Sequence, residues 1–362
     1  MTNQKYWIGL SMIPHLGAVR IQHLVSTFGT ARDAWHAPDD AIKRVGLPPS
    51  AEASLLQQRL KIDLDAELEK VHAVGAHVVT WADSDYPESL RHISDPPPML
   101  YVRGELLPTD RLALSIVGTR RATRYGLDVA NRMGYWLASQ DVTIVSGMAQ
   151  GVDAAAHRGA LDAQGRTIAV FGCGIDVIYP REHDRLADQI AENGALISEF
   201  PLGTPPSGKN FPRRNRLVSG LSLGVLVAEA PKESGSLITA DFALEQGREV
   251  FAVPANIFNR VGAGCNRLIQ QGAKLVARAS DVLDELNVAY SNQVVQEQTE
   301  TLAPASTNEE KVLSILDMEP LHIDDIIRQT GLSTAEVSST LAILELKGLA
   351  QMVGAMQYCH TR

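Results

Sequence analysis

The sequence predicts an α/β protein whose centre is a doubly wound, mostly parallel sheet, with a small helical domain before it and a winged-helix domain after it. Three observations lead there. At 362 residues the chain is longer than one ordinary core needs. Between residues 111 and 288 short, near-continuous apolar runs alternate with helical segments, the pattern of parallel strands covered on both faces. Beyond residue 308 two helices, a Gly-containing turn, a third helix and a Gly-centred hairpin follow one another.

Taken in order, residues 1–60 read as short helices. Leu10, Val19, Ile21, Leu24, Val25 and Phe28 recur at helical spacing, broken by Gly17 and Gly29. The stretch from Ile13 to Arg20 has the letters of a helix-hairpin-helix turn, whose amides can face a phosphate, but in this acidic region a plain helical adaptor is the expectation. Residues 61–110 lead into the sheet, and Pro96, Pro97 and Pro98 force an extended, helix-free approach. The strands are expected at 112–117, 142–145, 167–171, 195–198, 223–228, 250–253 and 274–277. A ligand of such a sheet lies beyond the carboxyl ends of its strands, at the switch point. Residues 289–308 are polar and aperiodic, as a linker is. In 309–362 the helices Ile323–Thr330 and Ser333–Lys347 and a hairpin at Val353-Gly354 give the winged-helix arrangement. The second of those helices holds one Lys and two Glu, so protein docking or weak DNA contact suits it better than groove reading.

Composition narrows the class. Hydrophobic residues make up 45% and charged residues 21%, which excludes wholesale disorder. No apolar run has the length of a membrane span, and the first residues lack a signal-peptide pattern. Cys173, Cys265 and Cys359 stand far apart without a CxxC pair, which excludes a disulfide framework and fits a cytoplasmic location. The net charge of −9 argues against a nucleic-acid partner until it is divided along the chain. Residues 1–110 carry −4, residues 111–288 carry +1 and residues 289–362 carry −6. Within the centre, Arg120, Arg121 and Arg124 form one cluster, and Lys209, Arg213, Arg214 and Arg216 a second. Screening limits charges to a range of roughly 10 Å at 0.1 M salt, so a local basic patch acts on its own.

Several motifs fail on inspection. Gly172-Cys173-Gly174 allows a tight turn near a ligand, but Val177 breaks a dinucleotide fingerprint. Gly203 to Asn210 nearly spells a P-loop, yet Asn210 replaces the hydroxyl that would meet magnesium, and Pro205 and Pro206 have no N–H to offer. Gly220-Leu-Ser222-Leu-Gly224 runs from helix to strand, the reverse of a nucleophile elbow. Asp153 and His157 sit four apart on a helix with no third metal ligand near, so a helix-surface hydrogen bond is expected. No catalytic residue, metal site or cofactor is predicted.

The strongest constellation is Lys209, Phe211, Arg213, Arg214, Asn215 and Arg216 at a helix start. Cations there can track phosphates while a ring stacks on a base, the pairing a single strand needs. The alternative is that Phe211 is core and the arginines pair with acids such as Glu199 and Glu229. Arg120 and Arg121 directly follow the first central strand and can face the same crevice, with Gly118 before them. Ser234, Gly235 and Ser236 open a helix and can cap it or hold an anion.

Five ordered motifs then resemble the DprA (Smf) family of bacterial DNA-processing proteins. They are Ser146-Gly-Met-Ala-Gln-Gly-Val-Asp153 with His157, Gly172 to Pro180, Phe211-Pro-Arg-Arg-Asn-Arg216, Ser234 to Ala240 and Gly247 to Pro254. Ala255 departs from the family's usual Gly. The resemblance implies a SAM-like domain at 1–60, an extended Rossmann-like domain at 61–288, the linker at 289–308 and a winged helix at 309–362. It implies a homodimer, and a function in binding and protecting incoming single-stranded DNA and loading RecA recombinase during natural transformation. Arg120 and Lys209 would contact the strand, with Phe211, Arg214, Asn215 and Arg216 beside them. Two rivals stay open: a nucleotide-processing enzyme using Glu229 or Asp176, and a winged-helix regulator of duplex DNA. Four phosphate-neutralising cations would give a log–log salt slope near −3 on a single strand, and Lys209→Ala would flatten it by about 0.7.

Overall fold

The computed structural model describes residues 3–286, 307–317, 320–346, 349–354 and 356–360. Most of the expected linker at 289–308 lies outside the described residues, as does Lys347. The chain divides into two compact units, Met1–Leu286 and Asn287–Arg362.

The first unit is organised by a sheet of nine strands among the described residues: β1 (His77–Thr80), β2 (Met99–Gly104), β3 (Ala113–Gly118), β4 (Thr143–Ser146), β5 (Thr167–Phe171), β6 (Ala195–Ser198), β7 (Gly224–Glu229), β8 (Glu249–Ala252) and β9 (Lys274–Leu275). Their spatial order is β1-β2-β6-β5-β4-β3-β7-β8-β9. From β6 to β9 every pairing is parallel, whereas β1 pairs with β2 and β2 with β6 antiparallel. The chain enters the parallel part at β3, winds outward through β4, β5 and β6, and then returns to the other side of β3 as β7. The switch point is therefore the gap between β3 and β7, where the carboxyl ends of neighbouring strands lead their loops apart. All seven expected central strands are present; β1 and β2 extend the sheet by two strands from the 61–110 segment that leads into it.

Both faces are covered, and the strands divide their side chains by the period of two that a pleat imposes. On β2, Met99 and Tyr101 enter one core and Leu100 and Val102 the other. On β5, Ala169 and Phe171 face the first while Ile168 and Val170 face the second. The N-terminal helices share the first core: Trp7, Ile8, Leu24 and Trp35 pack in one cluster with Val78, Met99 and Leu196. Hence 1–60 and the sheet form one compact unit. The Gln4 amide ties the first helix to the sheet by donating to the Val78 carbonyl at 2.8 Å. At the departure noted above, Asn266 brackets Ala255, accepting from its N–H and donating to its carbonyl at 2.9 Å each.

The second unit contains helices Thr307–Leu313, Ile323–Thr330 and Thr334–Leu346 with strands β10 (Leu321–His322), β11 (Ala350–Gly354) and β12 (Gln357–His360), which is a winged helix. Gly331 ends one helix in the left-handed region at φ 70°. Ser333 and Glu336 form a reciprocal capping box at the start of the next: the carboxylate accepts from the Ser333 N–H at 2.9 Å and its hydroxyl at 2.6 Å, and the hydroxyl accepts from the Glu336 N–H at 3.4 Å. The other acid, Glu345, accepts from the Met352 N–H at 3.0 Å. Both acids of the would-be recognition helix thus hold local structure.

Candidate nucleic-acid interface

A cavity of about 720 Å³ opens at the switch point. Two loops and a helix carry most of it, and Gly147, Ala149, Asp153 and Tyr179 add to its lining. The loop after β3 brings Gly118, Arg120 and Arg121, the loop after β7 leads to Ser234, Gly235 and Ser236, and the helix Asn210–Gly220 contributes Phe211, Arg214 and Asn215. These residues are far apart in sequence and meet because β3 and β7 are neighbours.

Two acids position the loops, one buried and one exposed. Glu229, at the end of β7 and only 1% exposed, accepts from the Thr123 N–H and Thr123 hydroxyl at 2.7 Å each, and its own carbonyl accepts from the Thr119 N–H at 2.8 Å. The Arg120–Arg121 loop is thereby clamped between two bonded residues. Asp176 accepts from the Gly203 N–H at 2.9 and 3.0 Å and fixes the 201–204 turn. The two acids an enzymatic reading would use both hold backbone. Gly151, at φ 80°, lets the 147–151 loop press against Thr119 and Arg120, where any side chain would strike their carbonyls.

The cation clusters separate into two groups. Arg120, Arg121 and Lys209 are exposed, and among the described residues their side chains make no ion pair. The Arg120 guanidinium lies over the Phe211 ring at 5.2 Å. Lys209 immediately precedes the helix that lines the cavity. Arg213 and Arg216, by contrast, go to Glu199. Arg216 donates to both of its carboxylate oxygens at 2.7 and 2.9 Å, and Arg213 donates to one at 2.9 Å. Arg216 and Glu199 are buried, so this pair is part of the core, and neither Arg213 nor Arg216 lines the crevice. Of the acids named as alternative partners, Glu199 takes two arginines and Glu229 takes none. Arg124 pairs with Asp128 on its own helix at 3.0 Å.

Arg214 is the exception among the buried cations. It is 4% exposed, and its Nη1 donates to the Val170 carbonyl. Its Nε has no acceptor and its Nη2 makes no bond among the described residues. Burial lowers its pKa to about 10, against the opposing pull of Asp153. Asp153 is itself buried and accepts from the Gly147 and Ala149 amides at 3.2 and 3.3 Å. Burial raises its pKa, while the Arg214 charge and those amides hold it down. Gly147 is required here because a side chain at that position would overlap the Arg214 guanidinium.

Other expected residues have different duties. Gly172 seats the Phe211 ring, which occupies the space a Cβ would take at 2.7 Å. Gly174 packs on the 201–204 turn and donates to the Thr204 carbonyl at 2.9 Å. Neither glycine lines the cavity, so protein fills the space an anion would have needed. Asn215 donates to the Gly235 carbonyl at 3.3 Å, joining the two walls. His157 and Asp153 do not bond one another at a helix surface; His157 is fully buried, with Nδ1 2.7 Å from the Thr167 hydroxyl. Ser222 is buried and lies 2.8 Å from the Ser115 hydroxyl, in the core. No cluster of three metal-binding side chains occurs among the described residues, and none of their helices is long and apolar enough to cross a membrane.

Tyr179 escaped the sequence reading. Its ring stacks on Phe211 with centroids 5.6 Å apart and 29° between planes. Phe211 is thus engaged by Tyr179 and Arg120, and the exposed aromatic surface at the crevice is that of Tyr179, 41% exposed. The available signal was its place near the end of the Gly172–Pro180 motif.

Comparison with known proteins follows the same lines. The family described as DNA recombination-mediator protein A matches residues 77–287, and the DprA winged helix domain matches residues 296–355. Protein Smf of Synechocystis sp. is 34% identical over 395 residues, covering 99% of this chain and 98% of that protein. The X-ray structure of DNA processing protein A from Streptococcus pneumoniae superposes with a TM-score of 0.68 at 35% identity, over 79% of this chain and 98% of that one. A structure of DNA processing protein A from Helicobacter pylori, described for its single-stranded DNA binding mode, gives a TM-score of 0.54 at 31% identity over 59% of this chain and 97% of that one.

Proposed function

The chain belongs to the DprA/Smf family of DNA-processing proteins, and on that premise we propose that it binds single-stranded DNA at the switch-point crevice. The observation that carries the reading is three exposed cations that make no ion pair among the described residues, Arg120 and Arg121 at the crevice and Lys209 just before the helix that lines it, together with an exposed Tyr179 ring backed by Phe211. The cations follow the phosphates, and the ring stacks on a base for about 1–3 kcal/mol without selecting sequence. Arg213 and Arg216 serve the core and Arg214 the floor, so three free cations replace the four expected from sequence, and the salt slope falls from near −3 to about −2.

Family membership extends the proposal to protecting incoming DNA in natural transformation and passing it to RecA recombinase. It also supports a homodimer. Ile257 and Phe258, 82% and 87% exposed, offer an apolar contact for a second copy. Within this scheme 61–288 binds the strand, 1–60 braces the sheet, and 309–362 docks protein. The helix Thr334–Leu346 presents no Lys or Arg, which disfavours a duplex reader.

The test is binding of a mixed-sequence single strand and its duplex by the full chain, by Arg120→Ala and by a chain ending at residue 288. The reading requires single-strand preference that survives truncation and weakens in Arg120→Ala. Binding lost with the winged helix would transfer the function there.

A further inference from the structure

The floor of the crevice carries chemistry that the rim does not use. The helix Gly235–Glu245 opens into the cavity with Ser234 as its N-cap, and the Ser234 and Ser236 hydroxyls lie 2.7 Å apart. The Gly235 amide donates to no described residue. A helix start of this kind favours negative charge. Arg214 adds an independent observation. It is more than nine-tenths buried, lines the same cavity, and leaves its buried Nε without an acceptor although Nη1 is satisfied, while Nη2 bonds no described residue. Buried cations are ordinarily paired, as Arg216 is; an unsatisfied one facing a polar cavity is complementary to an anion that enters it. The cavity's volume of about 720 Å³ lies within the roughly 300–1,000 Å³ of small-molecule sites. Two acids also line it. Asp153 is committed to the Gly147 and Ala149 amides, and Glu233 is exposed.

We propose that this floor holds one terminal phosphomonoester nucleotide, its phosphate at Ser234–Ser236 and Arg214 and its base toward Tyr179. The proposal rests on the single-strand reading and names the part of the strand that enters deepest. A monoester fits better than an internal diester because it carries about −1.5 to −2 at neutral pH and three acceptor oxygens. The floor opposes it with a buried guanidinium and a helix start, and offers hydroxyl and amide donors besides. The same chemistry is presented by a phosphorylated strand end and by a free nucleoside monophosphate.

The experiment uses the full chain and four strands of one sequence: 5′-phosphorylated, 3′-phosphorylated, hydroxyl-ended, and covalently closed into a circle. Deoxyadenosine monophosphate and inorganic phosphate serve as competitors. The expected result is at least about tenfold tighter binding of one phosphorylated strand than of the hydroxyl-ended strand or the circle, one added charge-assisted contact being enough for that ratio. Ser236→Ala and Arg214→Lys each bring the ratio of phosphorylated to hydroxyl-ended affinity toward one; should Arg214→Lys fail to fold, Ser236→Ala carries the test. Displacement by the monophosphate but not by phosphate, without an end preference, would assign the floor to free nucleotides. Equal binding of all four strands with no displacement overturns the inference and leaves the single-strand reading standing. Failure of every strand to bind overturns both.

Discussion

Arg214 and Arg216 lie two residues apart on one helix and are both buried, yet their surroundings are opposite. Arg216 faces the end of β6, where Glu199 meets it with both oxygens and the Asp95 carbonyl accepts from its Nε at 3.0 Å. Arg214 faces the switch point, where a backbone carbonyl takes one N–H and the others go without. One side of the helix is a closed ion-pair core. The other is an electrostatically unfinished cavity rimmed by free cations. On the proposed reading, a cluster of arginines marks a binding site only on the side where the protein does not complete the pairing itself.

Breaking the closed side has the largest expected effect. Glu199→Ala leaves two arginines without their carboxylate, one of them buried, and should cost about 3–5 kcal/mol of stability in urea or thermal unfolding. The folded fraction should bind a single strand with unchanged salt dependence. A second prediction concerns the core of the sheet unit. Burial depresses the His157 pKa to about 3 from 6.5, so this side chain stays neutral in the fold while the unfolded chain takes up a proton. Its contribution to stability is complete above about pH 6.5 and is lost as pH falls toward 3, at up to about 1.4 kcal/mol per pH unit. His157→Gln should flatten that dependence in pH-resolved denaturation, whatever it does to stability at neutral pH.

On the open side, Tyr179→Ala should lower single-strand affinity by about 1–3 kcal/mol, read by fluorescence anisotropy, with little change in melting temperature. The smallest effect sharpens the comparison most. Arg121→Ala should flatten the salt slope by about 0.7, equally for all sequences, whereas Arg213→Ala should leave it alone. Equal slopes for the two variants would erase the distinction between the sides.

How much of this was legible depended on whether a feature was local. The seven parallel strands were, because burial on both faces makes each a continuous apolar run. β1 and β2 were not: they are short antiparallel strands beside a triple proline, and the pairing of β2 with β6 is set by topology. The rim cations were legible as clusters, but the diversion of Arg213 and Arg216 depends on Glu199 arriving from a different strand. Tyr179 reaches the crevice on the loop after β5 and carries no periodic signal. Gly172 and Gly174 suggested a ligand turn because glycine permits close approach; in the fold the approaching groups are Phe211 and the 201–204 turn.

In the proposed function Arg120, Arg121 and Lys209, which make no ion pair among the described residues, hold a single strand in place of the winged helix. The most direct test is a salt titration of full-chain affinity for a mixed-sequence single strand and for its duplex. The expected result is tighter binding to the single strand and a log–log slope of about −2 that falls toward zero in an Arg120→Ala, Arg121→Ala, Lys209→Ala triple variant. A slope indifferent to that triple substitution, or a preference for duplex, would contradict it.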